Sequence, residues 1–302
     1  MRIAYCYFDL PFAPHPGWEF RTGELLQELG HEVFFVPKHS CESQKKIPLP
    51  PEADVVYCSN PMCLPIGVEL KKKLEVPLVV NFLDIPERGV SEDWRFGVYE
   101  KLKPLVEKAD GLTAISQTTA GAVESWCGRR PEVDYLGVDE ELFSTNSKIS
   151  GDYACSIPRG LAKQKCAEEA ARACEKFGIP LKVIYGQYSD IMRAKLVKGC
   201  HFGLHTSHFE GFCLPIIEFN YCHKPVVARR LPVLEEIHSK NRGAVLYDTQ
   251  EELEHHLKRL WSDWDERWER GRAGQEFVLR NGFTLRAHAE RLIGILEQFS
   301  RE

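Results

Sequence analysis

The sequence predicts an α/β protein built from two doubly wound domains, and three observations carry that prediction. The chain opens on a strand, a loop, a helix and a second strand, the start of a parallel sheet. A small, polar stretch from Ser144 to Asp152 then reads as a linker. After it the strand–turn–helix order restarts, within a length of 302 residues that suits about two domains.

Taken in order, residues 2–8 read as a buried strand, followed by the Pro-rich loop PFAPHPGWEF that passes Gly17. A helix over 18–29 places Leu25, Leu26 and Leu29 on one face. Gly30 stops it, and Gly30 to Pro37 form a second strand. No G-x-G-x-x-G follows the first strand, so a dinucleotide site is not supported. Residues 38–52 are polar and Pro-rich, a loop. Strands at 53–59 and 76–86 flank a helix at 65–74 whose last turn carries Lys71, Lys72 and Lys73, complementing the helix dipole. The strand at 76–86 runs into a loop at its carboxyl end, where open α/β sheets bind ligands, so Asn81 and Asp84 are candidate site residues. A helix over 92–108, a strand over 109–116 and a helix over 117–126 capped by Ser116 complete the first half.

In the second half, 152–158 is a strand and the alanine-rich segment after it a helix. Residues 181–186 are a strand, and 187–199 form a helix with Ser189 as its cap. A strand beginning at Cys200 leads into His208–Glu236. After Lys224 to Ala228, residues 229–237 place a turn at a strand end and 243–248 form the last strand. Three helices at 250–262, 264–280 and 284–300 close the chain. Trp261, Trp264 and Trp268 fall at i, i+3 and i+7, the spacing of a packed face. Residues 284–300 are amphipathic, which packing on a core and peripheral membrane contact explain equally well.

The most informative stretch places Glu210 and Glu218 eight positions apart around an apolar turn. Gly211 lets a ligand approach the backbone, and Pro215 suits the first turn of a helix. Glu210 then belongs to a loop and Glu218 lies one turn into the helix. The amides of Gly211, Phe212 and Cys213 open that helix, where an anion such as phosphate is favoured. A ligand with both phosphates and hydroxyls, such as a nucleotide sugar, suits such a turn. Read from spacing alone, a surface helix with two solvated glutamates fits better, because one short motif discriminates poorly.

The segment Glu210-Gly211-Phe212-Cys213-Leu214-Pro215-Ile216-Ile217-Glu218 resembles the E-x7-E region of retaining family 4 glycosyltransferases, E-G-F-G-L-P-x-x-E. Only the second glycine departs, being Cys213. Gly137, Val138, Asp139 and Phe143 resemble the turn that precedes the family's domain crossover. The resemblance implies the GT-B fold: two Rossmann-like domains facing across a cleft, with the last helix returning to the first. Residues 1–147 would be the acceptor-side domain, 148–283 the donor domain and 284–302 the returning helix. It implies transfer of a sugar from a nucleotide-diphosphate-sugar donor to an acceptor, with retention and without a metal or other cofactor. Glu210 would face the sugar hydroxyls and Glu218 the ribose. Arg159 and Lys165, with Lys163 as the alternative, would hold the diphosphate, helped by amides at Phe212 and Cys213. Two cations there offset charge building on the leaving group; ordinary basic residues at a helix start are the plainer reading. Gly17 would be what remains of the family's glycine-rich turn. Leu83-Asp84 stands where many relatives have His-Asp, and about one βα unit is missing before Cys200. Those departures favour one alternative, a non-catalytic nucleotide-sugar binder acting with a partner; a second is another chemistry of the same fold, such as nucleotide-sugar epimerisation.

Composition narrows the classes further. A net charge of −5 offers no general attraction to nucleic acid. No apolar run is long enough to span a bilayer, and the first residues enter a strand without a signal-peptide layout. The eleven cysteines are scattered, without C-x-x-C or zinc spacing, as expected of reduced thiols in a cytoplasmic protein. Cys222 and His223 are adjacent and lack a second ligand pair, so no metal site is expected there.

Overall fold

A computed structural model describes residues 1–9, 17–39, 50–83, 94–144, 149, 151–158, 166–184 and 188–300. The chain forms two compact units, Met1–Tyr135 with Arg286–Glu302, and Leu136–Leu285.

The first unit is a six-stranded sheet. Its strands are β1 (Arg2–Asp9), β2 (Glu32–His39), β3 (Val55–Cys58), β4 (Leu78–Phe82), β5 (Gly111–Ala114) and β6 (Glu132–Val133), in the order β2-β1-β3-β4-β5-β6. Every pairing is parallel, with Ile3 opposite both Val33 and Val55. Strands β3, β4 and β5 are buried at every residue, which is why they are mainly apolar rather than alternating. Helices α1 (Trp18–Glu28), α2 (Leu64–Leu74), α3 (Trp94–Val106) and α4 (Gln117–Cys127) connect them. The predicted Ser116 cap is present: its hydroxyl accepts from the Thr119 amide, 3.0 Å. Gly128, at φ +78°, ends α4 in the left-handed region.

The second unit contains α5 (Glu140–Ser144) and a five-stranded parallel sheet. Its strands are β7 (Ala154–Ser156), β8 (Leu181–Val183), β9 (Gly203–His205), β10 (Val226–Arg229) and β11 (Ala244–Tyr247), in the order β11-β10-β9-β7-β8. Its further helices are α6 (Ala167–Glu175), α7 (Asp190–Gly199), α8 (Leu214–Tyr221), α9 (Pro232–His238), α10 (Gln250–Ser262) and α11 (Trp264–Arg280). The final helix, α12 (Leu285–Ser300), belongs to the first unit from Arg286 onward. There Ala289, Leu292 and Leu296 are wholly buried. Asp134 accepts from Arg291 Nε, 3.1 Å, and lies 3.0 Å from His288 Nδ1. The apolar face of α12 is therefore used in packing.

Two expectations are corrected. Residues 229–237 are not only a turn: Pro232, with its fixed φ, starts the seven-residue α9. The tryptophan set is not one packed face, since Trp261 packs on the core while Trp264 and Trp268 are 63% and 52% exposed. Asp263 caps α11 through the Glu266 amide and so breaks the phase between Trp261 and Trp264. The buried stripe of α11 is Gly271, Gly274 and Val278 instead. A Cβ on Gly271 would stand 2.1 Å from the His223 carbonyl oxygen, so glycine alone permits α11 to lie this close to the end of α8.

Candidate active site

The site residues of the second unit are placed by β9, the loop after it, and α8. Strand β9 ends at His205, and Thr206 Oγ1 donates to the Cys166 carbonyl at 2.8 Å, fixing the strand end against the start of α6. Ser207 Oγ donates to the Phe209 carbonyl, 2.9 Å, which folds the loop back on itself. Glu210 lies in this loop and Glu218 in the second turn of α8, as their spacing predicted. Cys213 is the N-cap of α8 at φ +71°, ψ 58°, a conformation that glycine adopts easily and cysteine rarely. Below the helix, Asn220 Nδ2 donates to the carbonyls of Lys224 and Gly243, and its Oδ1 accepts from Asn241 at 2.7 Å. This buried network ties α8 to the β10–β11 end of the sheet, so the loop stands on a rigid base.

Glu218 is 2% exposed, and Arg193 Nη1 donates to its Oε1 at 2.5 Å. Arg193, from α7, also pairs with Asp190 at 2.9 Å and lies 5.5 Å above the Phe143 ring. Burial works against the Arg193 charge, but the carboxylates of Glu218 and Asp190 more than offset it and hold the guanidinium above its ordinary range. Glu210, with 12% of its side chain exposed, has Oε1 3.1 Å from His205 Nε2. Beside His205, burial first and the neighbouring imidazole second push His238 down to about 3, so it is neutral at working pH. Phe212 is 2% exposed and meets Phe283 edge-on at 6.0 Å. Glu210, Gly211, Phe212, Cys213, Leu214 and Glu218 thus share one loop-to-helix turn.

Of the remaining predicted residues, Gly17 caps α1 in the first unit, exposed and with no atom within 4 Å of where a Cβ would stand. Asp84, Arg159, Lys163 and Lys165 lie outside the described residues. Asn81 is 2% exposed and has a structural part: it donates to the Ser59 carbonyl and accepts from Thr113 Oγ1. Arg229 pairs with Glu169, and Arg230 with Asp248 and Glu235.

Sequence reasoning missed Arg193, His205 and Glu19. Nothing local marks Arg193, whose partner Glu218 is 25 positions away. Glu19 stands in the first turn of α1, over the carboxyl ends of β1 and β3. Its Oε2 accepts from the Phe8 amide, 3.2 Å, and from the Ser59 hydroxyl, and burial raises its pKa. Its position at strand ends, where open sheets bind ligands, was the available signal.

Residues 160–277 match the family model described as glycosyl transferases group 1. No curated protein matches the chain. Among solved structures, sucrose-phosphate synthase from Thermosynechococcus elongatus is similar over 99% of both chains, with TM-score 0.76 and 13% identity. Anabaena Alr3699/HepE in complex with UDP-glucose matches 99% of this chain and 100% of its own, with TM-score 0.75 and 17% identity. Trehalose-6-phosphate from E. coli bound with UDP-2-fluoro glucose matches over 99% of both chains, with TM-score 0.74 and 12% identity. The fold is GT-B. The group 1 match falls within the second unit of that fold, over residues 160–277. No helix among the described residues is long and apolar enough to cross a membrane.

Proposed function

We propose that the protein transfers a sugar from a nucleoside-diphosphate donor to an acceptor hydroxyl with retention at the anomeric carbon. The observation that carries this reading is the Glu210–Glu218 turn, a loop carboxylate and a helix carboxylate around the amide end of α8, inside the group 1 domain. The donor diphosphate sits at that amide end. Arg159 and Lys165 hold it by the chemistry their residue types supply. Glu210 accepts from hydroxyls of the donor sugar. Glu218 is directed to the ribose; being buried and held by Arg193, it is uncovered by a local shift on donor binding. The acceptor oxygen bonds to the anomeric carbon as the bond to the diphosphate oxygen breaks. The electron pair leaves with the nucleoside diphosphate, whose phosphate oxygen takes the acceptor proton. That path requires no separate protein base, which accommodates leucine at position 83. The two uridine-nucleotide ligands named for the similar structures, UDP-glucose and UDP-2-fluoro glucose, make UDP the first nucleotide to try.

The test is a thermal-shift panel with UDP, GDP, ADP, CDP and TDP, with and without magnesium, since a ligand of the native state raises apparent stability by mass action. The expected result is a shift with one nucleotide, independent of magnesium. Release of that nucleotide from its glucose conjugate follows, faster when an acceptor is added. Absence of any shift at millimolar nucleotide overturns the reading.

A further inference from the structure

We propose that His205, Glu210 and Cys213 form a binding site for a thiophilic divalent cation of the Zn2+ type. By occupying Glu210 this cation blocks donor turnover, a consequence that rests on the function proposed above.

Three side chains offer three different donors, an imidazole nitrogen, a carboxylate oxygen and a thiol sulfur, and the three atoms lie within 4.8 Å of one another. Zinc bonds to such atoms at about 2.0–2.3 Å, and a tetrahedral centre then sets them roughly 3.3–3.7 Å apart. Small side-chain rotations suffice to close the triangle. The site is enclosed: His205 is 5% and Cys213 3% exposed. Zinc chemistry is well served by nitrogen, oxygen and sulfur ligands, and three protein ligands leave a fourth position open.

Two further observations point to a ligand. His205 Nε2 is closed off from solvent and lies 3.1 Å from Glu210 Oε1, yet makes no hydrogen bond; nitrogen and oxygen stand side by side as they do around a shared ion. Cys213 occupies a left-handed position where the resembled motif carries glycine. A side chain kept against backbone preference is commonly tied to function, and here it sets a sulfur beside the imidazole and the carboxylate. The neighbouring trio Cys166, Glu169 and His208 is a poorer site. Glu169 already holds Arg229 and accepts from Tyr247, and the arginine would repel a second cation.

Co2+ is the probe, titrated into the metal-free full-length protein, with Zn2+ competition giving affinity. One Co2+ per chain, with a sulfur-to-cobalt charge-transfer band, is expected. C213G removes the band and weakens Zn2+ by more than about 100-fold, beyond what losing an outer-shell partner costs. Glycine suits φ +71°, so C213G remains folded, checked by its melting curve. C166S keeps the band. No cobalt bound, a band unchanged in C213G, or a band lost in C166S each overturns the site. In the turnover assay, Zn2+ inhibits the parent chain, and raised donor concentration relieves the inhibition. Binding without inhibition overturns the competition, while failure of all turnover leaves the spectra to decide the site.

Discussion

Arg193 Nη1 donates to Glu218 Oε1 in the interior of the second unit, joining α7 to the helix that follows the loop. The pair holds inside the unit a carboxylate that spacing alone would leave solvated on a helix surface. Replacing Arg193 with Ala leaves Glu218 buried without its cation, which costs about 3–5 kcal/mol. We expect a fall in Tm of roughly 10 °C, measured by thermal unfolding at neutral pH. A change under about 1 kcal/mol would mean the pair is solvated in solution.

Glu210 lies in the loop before α8, with 12% of its side chain exposed. Glu210→Ala should therefore lower turnover roughly 100-fold or more through lost positioning while nucleotide-induced stabilisation persists. Kinetics and thermal shift on the same preparation separate the two. Equal loss of both would place Glu210 in the framework of the loop.

Two helical glycines should respond to alanine with opposite signs. Gly294, in α12, has nothing within 4 Å of a Cβ, so Gly294→Ala gains about 0.5–1 kcal/mol of helix propensity. At Gly271 the same change drives a methyl into the His223 carbonyl and should cost about 1–3 kcal/mol or more. Urea unfolding of both variants checks the pair.

Glu19 provides the pH test. Burial raises its pKa in the native state, so the folded protein binds the Glu19 proton more tightly than the unfolded chain does. This contribution to stability is complete below the unfolded carboxylate value and is lost as pH rises through the raised native one. Glu19→Gln cannot ionise and escapes the loss. The stability of the variant relative to the parent should climb with pH across that window, read as Tm against pH. A constant difference would show that Glu19 titrates normally.

The element pattern of both sheets was readable because it is written in local spacing. The mainly apolar stretch at 76–86 marked a buried strand, which β4 is at every residue. Ser116 and Ser189 announced α4 and α7, since a cap engages an amide three residues on. The loop-then-helix geometry of Glu210 and Glu218 followed from Gly211 and Pro215 for the same reason. Sequence by itself determined the α/β class, the two parallel sheets and the loop-to-helix turn of the candidate site. Only the tertiary structure decided that Glu218 faces Arg193, that His205 and Cys213 converge on Glu210, and that α12 lodges His288 and Arg291 against Asp134. Those partners are set by strand order and helix packing, which bring together residues 25 to 157 positions apart, or fold a loop back on its own strand. Caps and periodicity act within a turn or two, and nothing in them specifies which distant charge a buried side chain will meet.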